Sequence, residues 1–550
     1  MKTKRKLADF GELWPAEAKI KAGIDSGNIT VIGKDVPAAD AGKKWQVRAS
    51  FIRYLALGGC EDCKTHEKGL RVQGALIIGD GNGDETNGLD LEGCVLAHDF
   101  ALVNCRFTAM VLLRGCSGQT FNFHGSDFSN GIEADGLEAK GAVFLSGVKA
   151  KGEVRLLGAK LGGGLACDGA KFDNPSGNAL SADGLEAKGS VFLRGVKAKG
   201  MVRLLGAKLG GDLACDGAEF DNPSRNALMA DGLEASGSVF LRGVKAEGKV
   251  RLGGAKLGGS LECDRAEFSN PSGVALNADG LEAKGTFFLR SGAKIEGKIS
   301  LYNAEVGGLN DDPACWPAGE NSIGMDRFRY AVILGEDAPT DATSRLEWLR
   351  KIYHMNGFSP QPYEHLASVL RDMGHRNDAR DVLIEKERLQ RRDRRDRTPS
   401  VVYTCILWLR DQTVNLTVRY GHRPLLAFAW LAIFWAAGAI VFDNAAQNSA
   451  FKPNSSRVWQ AEVWTNCAGP DQMNCYLAKD KGKSYPKFSA LIYSADTLLP
   501  IVDLELQNVW IPDEAKAPWV RRYLWLQILA GWALSLLAVA GFSGLIKKSD

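Results

Sequence analysis

The chain has 550 residues, more than one hydrophobic core requires, so two to four structural units are expected. Its 68 basic and 65 acidic side chains leave a net charge of +3, which excludes a histone-like nucleic-acid binder but permits a local patch. With 45% hydrophobic and 24% charged residues, a wholly disordered chain is also excluded. The composition is uneven: 34 of the 63 glycines lie between Gly131 and Gly308, and nine of the 13 tryptophans lie from Trp408 onward.

The N-terminal residues predict a cytosolic capping segment. The start, MKTKRKLAD, is basic but lacks the apolar run of a signal peptide, so we expect the front half in the cytosol with reduced thiols. Residues 1–68 are predicted to be an N-terminal cap, with a helix over 46–57. Cys60, Cys63 and His66 supply only part of a zinc site, and no second ligand pair lies nearby, so metal binding is the less favoured alternative.

The front half contains a repeat of 48 residues. The string DGLEA recurs at Asp135, Asp183, Asp231 and Asp279, and each repeat holds three 11-residue units and one longer unit with an Asn-Pro-Ser turn. Apolar and polar residues alternate within a unit, which is typical of a strand with one buried face. We therefore predict a parallel β-solenoid over 69–310, with two strands and about 22 to 26 residues in each coil.

Recurrence at 11 residues predicts that equivalent side chains stack. Val191 is expected to lie over Val202, and Val202 over Leu213. The repeats contain no constellation of a nucleophile, a general base or cofactor ligands, so the chain is not predicted to be an enzyme. Three cysteines recur on the inward face and are predicted to be buried thiols in place of leucine, rather than metal or redox ligands: Cys167, Cys215 and Cys263.

The outward face of the repeats carries basic residues that alternate with glutamate. A solvated surface is the simpler interpretation. The more specific hypothesis is that this face forms a groove that binds an anionic ligand such as a nucleotide or an oligonucleotide. Its candidate residues on the repeats are Lys188, Lys199, Lys208 and Arg203.

Helical periodicity begins after the solenoid, and residues 311–398 are predicted to form a helical hairpin followed by a basic run. Asp341 is expected to cap the first helix, and the hairpin is expected to pack on the solenoid end. The run KERLQRRDRRDR, residues 386–397, has seven positive and three negative side chains. A membrane-surface anchor is favoured over a nucleic-acid patch because apolar segments come next. Its candidate ligand residues are Arg391, Arg392, Arg394 and Arg395.

The back half is predicted to be membrane-bound, with an interfacial helix over 399–423 and transmembrane helices over 424–442 and 523–546. Basic residues near these segments predict that both termini are cytoplasmic, in a bacterial inner membrane. The segment 443–487 then lies outside the cell membrane, where a disulfide is predicted between Cys467 and Cys475. Two glycines of the second span are interpreted either as a gate hinge or as sites of close helix packing: Gly531 and Gly541.

Residues 488–504 predict a re-entrant pore helix and loop between the two spans. The segment is apolar at helical spacing, but it is too short to span, and Pro500 stops the helix. The alternative is an amphipathic helix on the outer membrane surface. The order of a span, a pore helix, an extended loop and a second span resembles the layout of tetrameric pore-loop channels. No TVGYG-like filter is present, so potassium selectivity is not implied. The predicted ion path, in which the acids would form rings, comprises Asp496, Thr497, Pro500, Ile501, Val502, Asp503 and Glu505.

Five phrases carry a resemblance that covers nearly the whole chain: RASFIRYLALGG, the DGLEA and VRLLGA repeats, QPYEHLA, YGHRPLLAFAW and YSADTLLPIVDL. They resemble a bacterial family of membrane proteins with glycine-rich N-terminal repeats and a C-terminal two-span domain. Members are often labelled membrane-associated oxidoreductases, a label that these residues do not support. The layout is also similar to that of channel-like membrane effectors of anti-phage systems that respond to a nucleotide or oligonucleotide.

This resemblance and the pore-like segment imply a homo-oligomeric, preferably tetrameric, cation-permeable pore without a cofactor. The solenoid would be its cytoplasmic sensor, gated by a ligand or by a cytosolic regulatory protein, and membrane lipid would surround its spans. The alternative is a membrane-anchored scaffold that recruits protein partners and does not conduct.

Overall fold

The computed structural model describes residues 6–60, 62–79, 88–353, 357–469 and 471–542. The chain divides into two compact units, Met1–Val382 and Leu383–Asp550. The first unit is a parallel β-solenoid of about ten coils with helices beside its first and last strands, and the second unit is mainly helical.

Within the described residues, the solenoid strands form a 20-stranded sheet and a 15-stranded sheet. The strands of the larger sheet are Thr30–Val31, Leu70–Gln73, Phe100–Val103, Ser117–Gly118, Phe121–Asn122, Glu138–Ala139, Val143–Phe144, Lys160–Leu161, Leu165–Ala166, Glu186–Ala187, Val191–Phe192, Lys208–Leu209, Leu213–Ala214, Glu234–Ala235, Val239–Phe240, Lys256–Leu257, Leu261–Glu262, Glu282–Leu289, Glu305–Asp311 and Arg329–Ile333. The strands of the smaller sheet are Gln46–Arg48, Leu76–Ile78, Arg106–Phe107, Val111–Leu112, Asp127–Phe128, Ile132–Glu133, Lys149–Lys151, Val154–Arg155, Lys171–Ser181, Lys197–Arg203, Glu219–Met229, Lys245–Arg251, Glu267–Asn277, Lys294–Ser300 and Ile323–Gly324.

The α-helices of the described residues are α1 Pro15–Gly23, α2 Ala49–Ala56, α3 Ala342–Arg350, α4 Gln361–Asp372, α5 Arg376–Asp396, α6 Val401–Val418, α7 Leu425–Gln447, α8 Ser456–Trp459, α9 Glu462–Thr465, α10 Gln472–Ala478, α11 Ala490–Leu498, α12 Leu506–Val509 and α13 Pro518–Phe542. Short 3-10 helices cover Leu7–Phe10, Pro313–Cys315 and Arg419–Gly421. Two antiparallel strand pairs complete the fold: Gly59–Cys60 with Cys63–Lys64, and Phe451–Pro453 with Trp510–Pro512.

Hydrogen bonding between coils sets the register of the solenoid. In the larger sheet Glu138 pairs with Lys160, 22 residues on, and Lys160 pairs with Glu186, 26 residues on. Coil length alternates because every second coil contains the longer unit of the repeat. The parallel solenoid itself is confirmed.

The predicted stacking of successive 11-residue units is wrong. Val191 pairs directly with Leu213, whereas Val202 lies in the smaller sheet and pairs with Leu228. One unit therefore carries the chain to the opposite sheet, and two units complete a coil. The shortest period of the sequence is half a turn of the structure.

The predicted Asn-Pro turns are also corrected. Each lies inside an 11-residue strand of the smaller sheet, where the pairing shifts in register. In the first of these strands, Asn174 Nδ2 donates to the carbonyl oxygen of Asn178 at 2.7 Å. The extra residues are therefore accommodated as a bulge in the sheet rather than as a turn.

Apolar side chains fill the interior of the coils. Leu193 is fully buried, and Phe107 and Phe128 stack in the early coils with their ring centroids 4.5 Å apart. Burial raises the pKa of the repeated thiols, which keeps them protonated. The prediction of buried thiols is confirmed, because these side chains are 0% exposed: Cys167, Cys215 and Cys263.

The solenoid extends beyond its predicted bounds of 69–310. Strand Gln46–Arg48, inside the predicted N-terminal cap, pairs with Leu76–Ile78. The predicted helix over 46–57 is therefore shorter, because α2 begins only at Ala49. At the other end, strand Arg329–Ile333 continues the larger sheet.

Side chains of α4 satisfy the backbone at the last coil. The Tyr330 backbone N–H donates to His365 Nε2 at 3.0 Å, and the Arg327 backbone N–H donates to Gln361 Oε1 at 2.7 Å. Burial lowers the pKa of His365, which favours the neutral imidazole that accepts this bond. An end strand has no further coil to pair with, so these contacts act as a cap.

A buried ion pair attaches the first helix to the first coils. Glu17 is fully buried, and Arg48 donates to its carboxylate through Nη2 at 2.6 Å and Nε at 2.9 Å. Arg48 also donates from Nη1 to the carbonyl oxygen of Phe10 at 2.8 Å. These bonds tie α1 to strand Gln46–Arg48 at the start of the smaller sheet.

A second buried ion pair attaches α3 to the end of the solenoid. Asp311 and Arg345 are each 1% exposed, and both guanidinium Nη atoms donate to the carboxylate at 2.8 Å. Trp316 Nε1 donates to the same carboxylate at 2.7 Å. The predicted N-cap of α3 is confirmed, since Asp341 Oδ1 accepts from the Ser344 backbone N–H at 2.9 Å.

Helices occupy the predicted segments of the back half with different bounds. The predicted interfacial segment holds α6, and α7 fills the first predicted span and continues to Gln447. The helix of the second predicted span, α13, begins earlier than predicted, at Pro518, and its described part ends at Phe542. Both α7 and α13 are long and apolar enough to cross a membrane. The basic run is the end of the continuous helix α5.

We predict that Arg345→Met destabilises the solenoid by about 3–5 kcal/mol, because it leaves the buried Asp311 carboxylate without its cation. The measurement is urea denaturation of the full chain followed by circular dichroism of the strands. The matched control is Arg194→Met, whose exposed pair with Asp168 is expected to contribute less than about 1 kcal/mol. Equal stability losses in the two variants would contradict the assignment.

Candidate functional site

Helices α7 and α13 present large apolar side chains on their surfaces. Leu425 and Ile440 of α7 are 70% and 72% exposed, and Leu529 and Leu536 of α13 are 70% and 62% exposed. Each such side chain left in water loses the free energy of about 1.5–3 kcal/mol that its burial would contribute. We therefore expect lipid or another protein surface to cover these helices.

The short helix α11 packs against both α7 and α13. Near its start, the ring centroid of Tyr493 lies 4.9 Å from that of Phe442. At its end, Leu498 packs with Leu431 and Leu534. Phe442 and Leu431 lie about 16 Å apart along α7 at 1.5 Å per residue. Helix α11 therefore runs alongside α7 from its C-terminal part toward its N-terminal part.

Gln527 of α13 joins the three helices through hydrogen bonds. It is fully buried, and its Nε2 donates to Ser494 Oγ at 2.9 Å, to the Ser494 carbonyl oxygen at 3.0 Å and to Thr497 Oγ1 at 3.3 Å. Ser494 Oγ in turn donates to the carbonyl oxygen of Trp435 on α7 at 2.8 Å. Among the described residues, Gln527 Oε1 has no hydrogen-bond partner. This network fixes α11 between the longer helices.

Two glycines allow the close approach of these helices. A Cβ atom at Gly531 would lie 1.9 Å from the carbonyl oxygen of Leu498. A Cβ atom at Gly438 would lie 2.4 Å from Gln527 Oε1 and from Ser494 Oγ. Of the two interpretations of Gly531, this geometry favours close helix packing over a hinge.

Asp496 closes the loop that comes after α11. It is 2% exposed, its Oδ1 accepts from the Leu504 backbone N–H at 2.6 Å, and its Oδ2 accepts from the Gln507 backbone N–H at 2.7 Å. The prediction of an acidic ring at Asp496 is therefore corrected, because both carboxylate oxygens bond to the backbone inside the protomer. Thr497 is also buried, and its Oγ1 donates to the carbonyl oxygen of Tyr493 at 2.9 Å.

The remaining predicted pore residues lie on an exposed loop. Helix α11 ends at Leu498, and Pro500 lies at the turn directly after it. Asp503 Oδ1 accepts from the Glu505 backbone N–H at 2.8 Å. Four predicted pore side chains lie on the surface of the protomer: Ile501, Val502, Asp503 and Glu505.

An aromatic cluster holds the segment between α7 and α11. Cys467 and Cys475 form a disulfide within this segment. The return strand that carries Trp510 pairs with Phe451–Pro453 beside the cluster. The large rings packed there include Phe442, Phe451, Trp464, Tyr476, Tyr493 and Trp510.

The basic run divides into bonded and exposed arginines. Asp411 of α6 is 3% exposed and accepts from Arg391 at 3.2 Å, from Arg395 at 2.6 Å and from Arg410 at 3.3 Å. Burial alone would raise the pKa of Asp411, but the arginine hydrogen bonds outweigh it and hold the pKa below its usual value. Arg391 and Arg395 therefore stabilise the contact between α5 and α6. The other two predicted ligand residues of the run, Arg392 and Arg394, are exposed, and Arg392 pairs with Asp396 at 3.9 Å.

One face of the solenoid forms a groove of about 2090 Å³, here called the charged groove. Two rows of residues line it. In each coil, the first row takes the first residue of the first of its larger-sheet strands, and the second row takes the residue two positions later. The first row is Glu138, Lys160, Glu186, Lys208, Glu234, Lys256 and Glu282. The second row is Lys140, Gly162, Lys188, Gly210, Ser236, Gly258 and Lys284. Charge alternates along these seven coils of the first row, whereas the second row has no acid. The alternation ends beyond them, because Glu282 pairs with Glu305, which also lines the groove.

The four predicted ligand residues of the repeats do not form one site. Lys188 and Lys208 line the charged groove. Lys199 and Arg203 belong instead to strand Lys197–Arg203 of the smaller sheet. Arg203 also binds Asp183, with its Nε donating at 3.0 Å, so its charge is paired within the coil. The predicted grouping is wrong because successive 11-residue units alternate between the two sheets.

The described residues do not assemble a metal centre. They contain no group of three or more His, Cys, Asp and Glu side chains arranged to hold a metal ion. Of the weak N-terminal motif, Cys63 is buried, while the Cys60 side chain lies outside the described residues.

Sequence reasoning missed the polar network around α11. Gln527 is the one amide in an otherwise uncharged apolar run, and Ser494 and Thr497 are small polar residues at helical spacing. A lone amide in a membrane-length segment was therefore a usable signal. Gly438 carried no such signal, because its role depends on the position of Gln527.

Comparisons with known proteins assign no family to this chain: no protein-family model, curated protein or solved structure matches it. The family resemblance rests on the sequence phrases alone.

We predict that Gly531→Ala lowers the thermal midpoint of the detergent-solubilised protein. Alanine usually stabilises a helix interior by about 1 kcal/mol relative to glycine, but here its Cβ would clash with the backbone carbonyl of Leu498. The matched control on the exposed face of α13 is Ala533→Val, which is expected to leave the midpoint unchanged. A raised midpoint in Gly531→Ala would show that α11 does not pack there.

Proposed function

We propose that this chain forms an oligomeric, cation-permeable pore in a bacterial inner membrane, controlled by its cytoplasmic solenoid. The observation that carries the proposal is the packing of α11 and its loop between two apolar helices. The half-helix is about 13 Å long and lies along α7 between Phe442 and Leu431. The chain then returns, so that Leu506 joins the aromatic cluster with Phe442. This course supports the proposed re-entrant pore helix.

The loop after α11 favours a water-filled path. Irregular backbone is tolerated at membrane depth only where it lines a cavity or is buried in protein. Asp496 satisfies two backbone N–H groups of the loop, while Asp503 and Glu505 are exposed. Around a shared axis these two acids would form rings that attract cations without strong selection.

The exposed apolar surfaces support assembly in a membrane. Ile501 at the loop tip is 85% exposed, so a neighbouring protomer or lipid is needed to cover it. A single α7, α11 and α13 set offers one wall of a pore, and several copies are needed to close one. A tetramer is the number that the pore-loop layout implies.

The proposed orientation places both termini in the cytoplasm and the segment 443–487 outside. The disulfide between Cys467 and Cys475 supports this orientation, because such bonds persist in an oxidising compartment. Helix α6 would lie at the inner membrane surface: Val401 and Leu416 are 77% and 62% exposed, and Arg392 and Arg394 lie on the preceding basic helix.

Gating is proposed to begin at the solenoid. A ligand or cytosolic protein that binds one arrangement of the sensor more tightly would shift the population of open pores. Helix α5 contains residues of both units. A nucleotide or oligonucleotide ligand and a role in anti-phage defence stay predictions of the resemblance.

The test is single-channel recording of Asp503→Asn/Glu505→Gln in planar bilayers. We predict that its cation conductance falls several-fold at low salt and approaches that of the unmodified chain at high salt, because acidic rings concentrate cations most when screening is weak. The matched control, Asp480→Asn, removes an exposed acid from the outer segment and is expected to leave conductance unchanged. An unchanged conductance in the double variant would contradict the acidic rings.

The alternative, an anchored scaffold that recruits partners, is favoured by one observation. The charged groove gives the solenoid a long surface for another macromolecule, whatever the two spans do. A reconstituted protein that stays monomeric and passes no current, with or without cell lysate, would support the scaffold over the pore.

A further inference from the structure

In the part of the chain that the structure describes, the side chains of the two rows of the charged groove form no ion pairs. Elsewhere on the solenoid, acidic and basic side chains of neighbouring coils form ion pairs. Arg155 pairs with Asp135 at 2.6 Å, and Arg251 pairs with Asp231 at 2.6 Å. Among the described residues, no lysine or glutamate of the first or second row forms such an ion pair. These side chains are exposed and spaced by the coil repeat of about 4.8 Å. They are therefore available to a partner.

The two rows are complementary to each other coil by coil. A coil with glutamate in the first row has lysine in the second, as in Glu138 with Lys140 and Glu186 with Lys188; the exception pairs Glu234 with Ser236. A coil with lysine in the first row has glycine in the second. The glycines are needed within the chain, since a Cβ atom at Gly162 would lie 2.0 Å from the carbonyl oxygen of Lys140. As a result, the coils with a first-row lysine leave an empty position beside it.

We propose that the charged groove is a self-association surface that pairs with the same groove of a second copy of this chain. With a two-fold axis parallel to the solenoid axis, the first row of one copy lies over the second row of the other at the same coil. Each opposed Glu then meets a Lys or a Ser, and each opposed Lys meets a Gly that leaves room for its side chain. No two like charges face each other. Each contact occurs twice across the axis.

A polyanion fits this groove less well than a second copy does. The two rows contain six lysines and four glutamates, and each first-row lysine lies between two first-row glutamates. A string of phosphates along the groove would therefore pass a carboxylate at every second coil. Like-charge contacts of this kind suppress binding. The inference thus assigns Lys188 and Lys208 to a contact between copies rather than to a nucleotide.

Charge reversal in the full chain tests the pairing. The triple variant Lys140→Glu/Lys188→Glu/Lys284→Glu is expected to lower, at least five-fold, the yield of the disulfide between Glu234→Cys of one copy and Ser236→Cys of another in liposomes, since each new glutamate faces a glutamate. This yield reports contact between grooves and not assembly through the membrane helices. Adding Glu138→Lys/Glu186→Lys/Glu282→Lys to the same chain restores the opposite charges and is expected to recover the yield to within two-fold. Circular dichroism checks that both variants retain the solenoid.

Cysteine cross-linking tests the register. In chains that carry Cys405→Ser, a copy with Glu234→Cys is mixed with a differently tagged copy with Ser236→Cys, and a disulfide-linked heterodimer is expected on mild oxidation. Lys197→Cys, on the smaller sheet, is the control and is expected to remain unlinked to either. An antiparallel pairing would instead link Glu234→Cys to Lys160→Cys, and that result would overturn the proposed axis.

Two outcomes would overturn the inference as a whole. One is a yield of the disulfide between grooves that the triple variant does not reduce or that the six-fold variant does not recover. The other is a chain whose grooves do not pair but bind polyphosphate, the polyanion probe. In that result, polyphosphate binding would depend on Lys140, Lys188 and Lys284. Cation currents measured in the same liposomes keep this test separate, because conduction without groove pairing would leave the proposed pore standing.

Discussion

The first unit depends on the hydrogen-bond ladder between successive coils. At a spacing of about 4.8 Å, each backbone N–H and C=O is satisfied by the coil above or below, so no side chain can intrude between them. This constraint decides where glycine is required: a Cβ atom at Gly210 would lie 2.1 Å from the carbonyl oxygen of Lys188. The ladder also has two ends, and buried ion pairs at Glu17 and Asp311 hold capping helices there.

The same constraint governs the second unit in a more demanding form. A short helix that stops between two apolar helices leaves backbone groups with no strand to pair and little water to bind. Asp496 supplies two of the missing acceptors, and Gln527 supplies donors to α11 across the helix interface. The Asp496 carboxylate, which the sequence predicts as part of the ion path, therefore accepts hydrogen bonds from the backbone of its own loop. In the proposed pore, the acids left to meet a permeating cation would be the exposed Asp503 and Glu505.

The alternation of residues and the apolar runs were sufficient to predict the solenoid and the two long helices, because each arises from local periodicity. Stacking was mispredicted because the shortest repeat of 11 residues is half a coil, so Val202 lies on the sheet opposite Val191. The solenoid ends were also misplaced, since strands such as Gln46–Arg48 lack the repeat motif. The contacts of Gln527 with Ser494 join residues 33 positions apart, and no short sequence window relates them.

A groove that pairs copies changes what a sensor in this chain has to do. Opposed exposed ion pairs are individually weak, so the pairing depends on the whole ladder and weakens as salt rises. A ligand that binds lysines such as Lys188 must compete with the second copy, and its effect on a pore would then come from the state of assembly. A ligand that binds outside the groove, for instance near Lys199 on the smaller sheet, would leave the pairing intact. Regulation through the groove and regulation through the opposite sheet are therefore physically distinct, because only the first is linked to the association of copies.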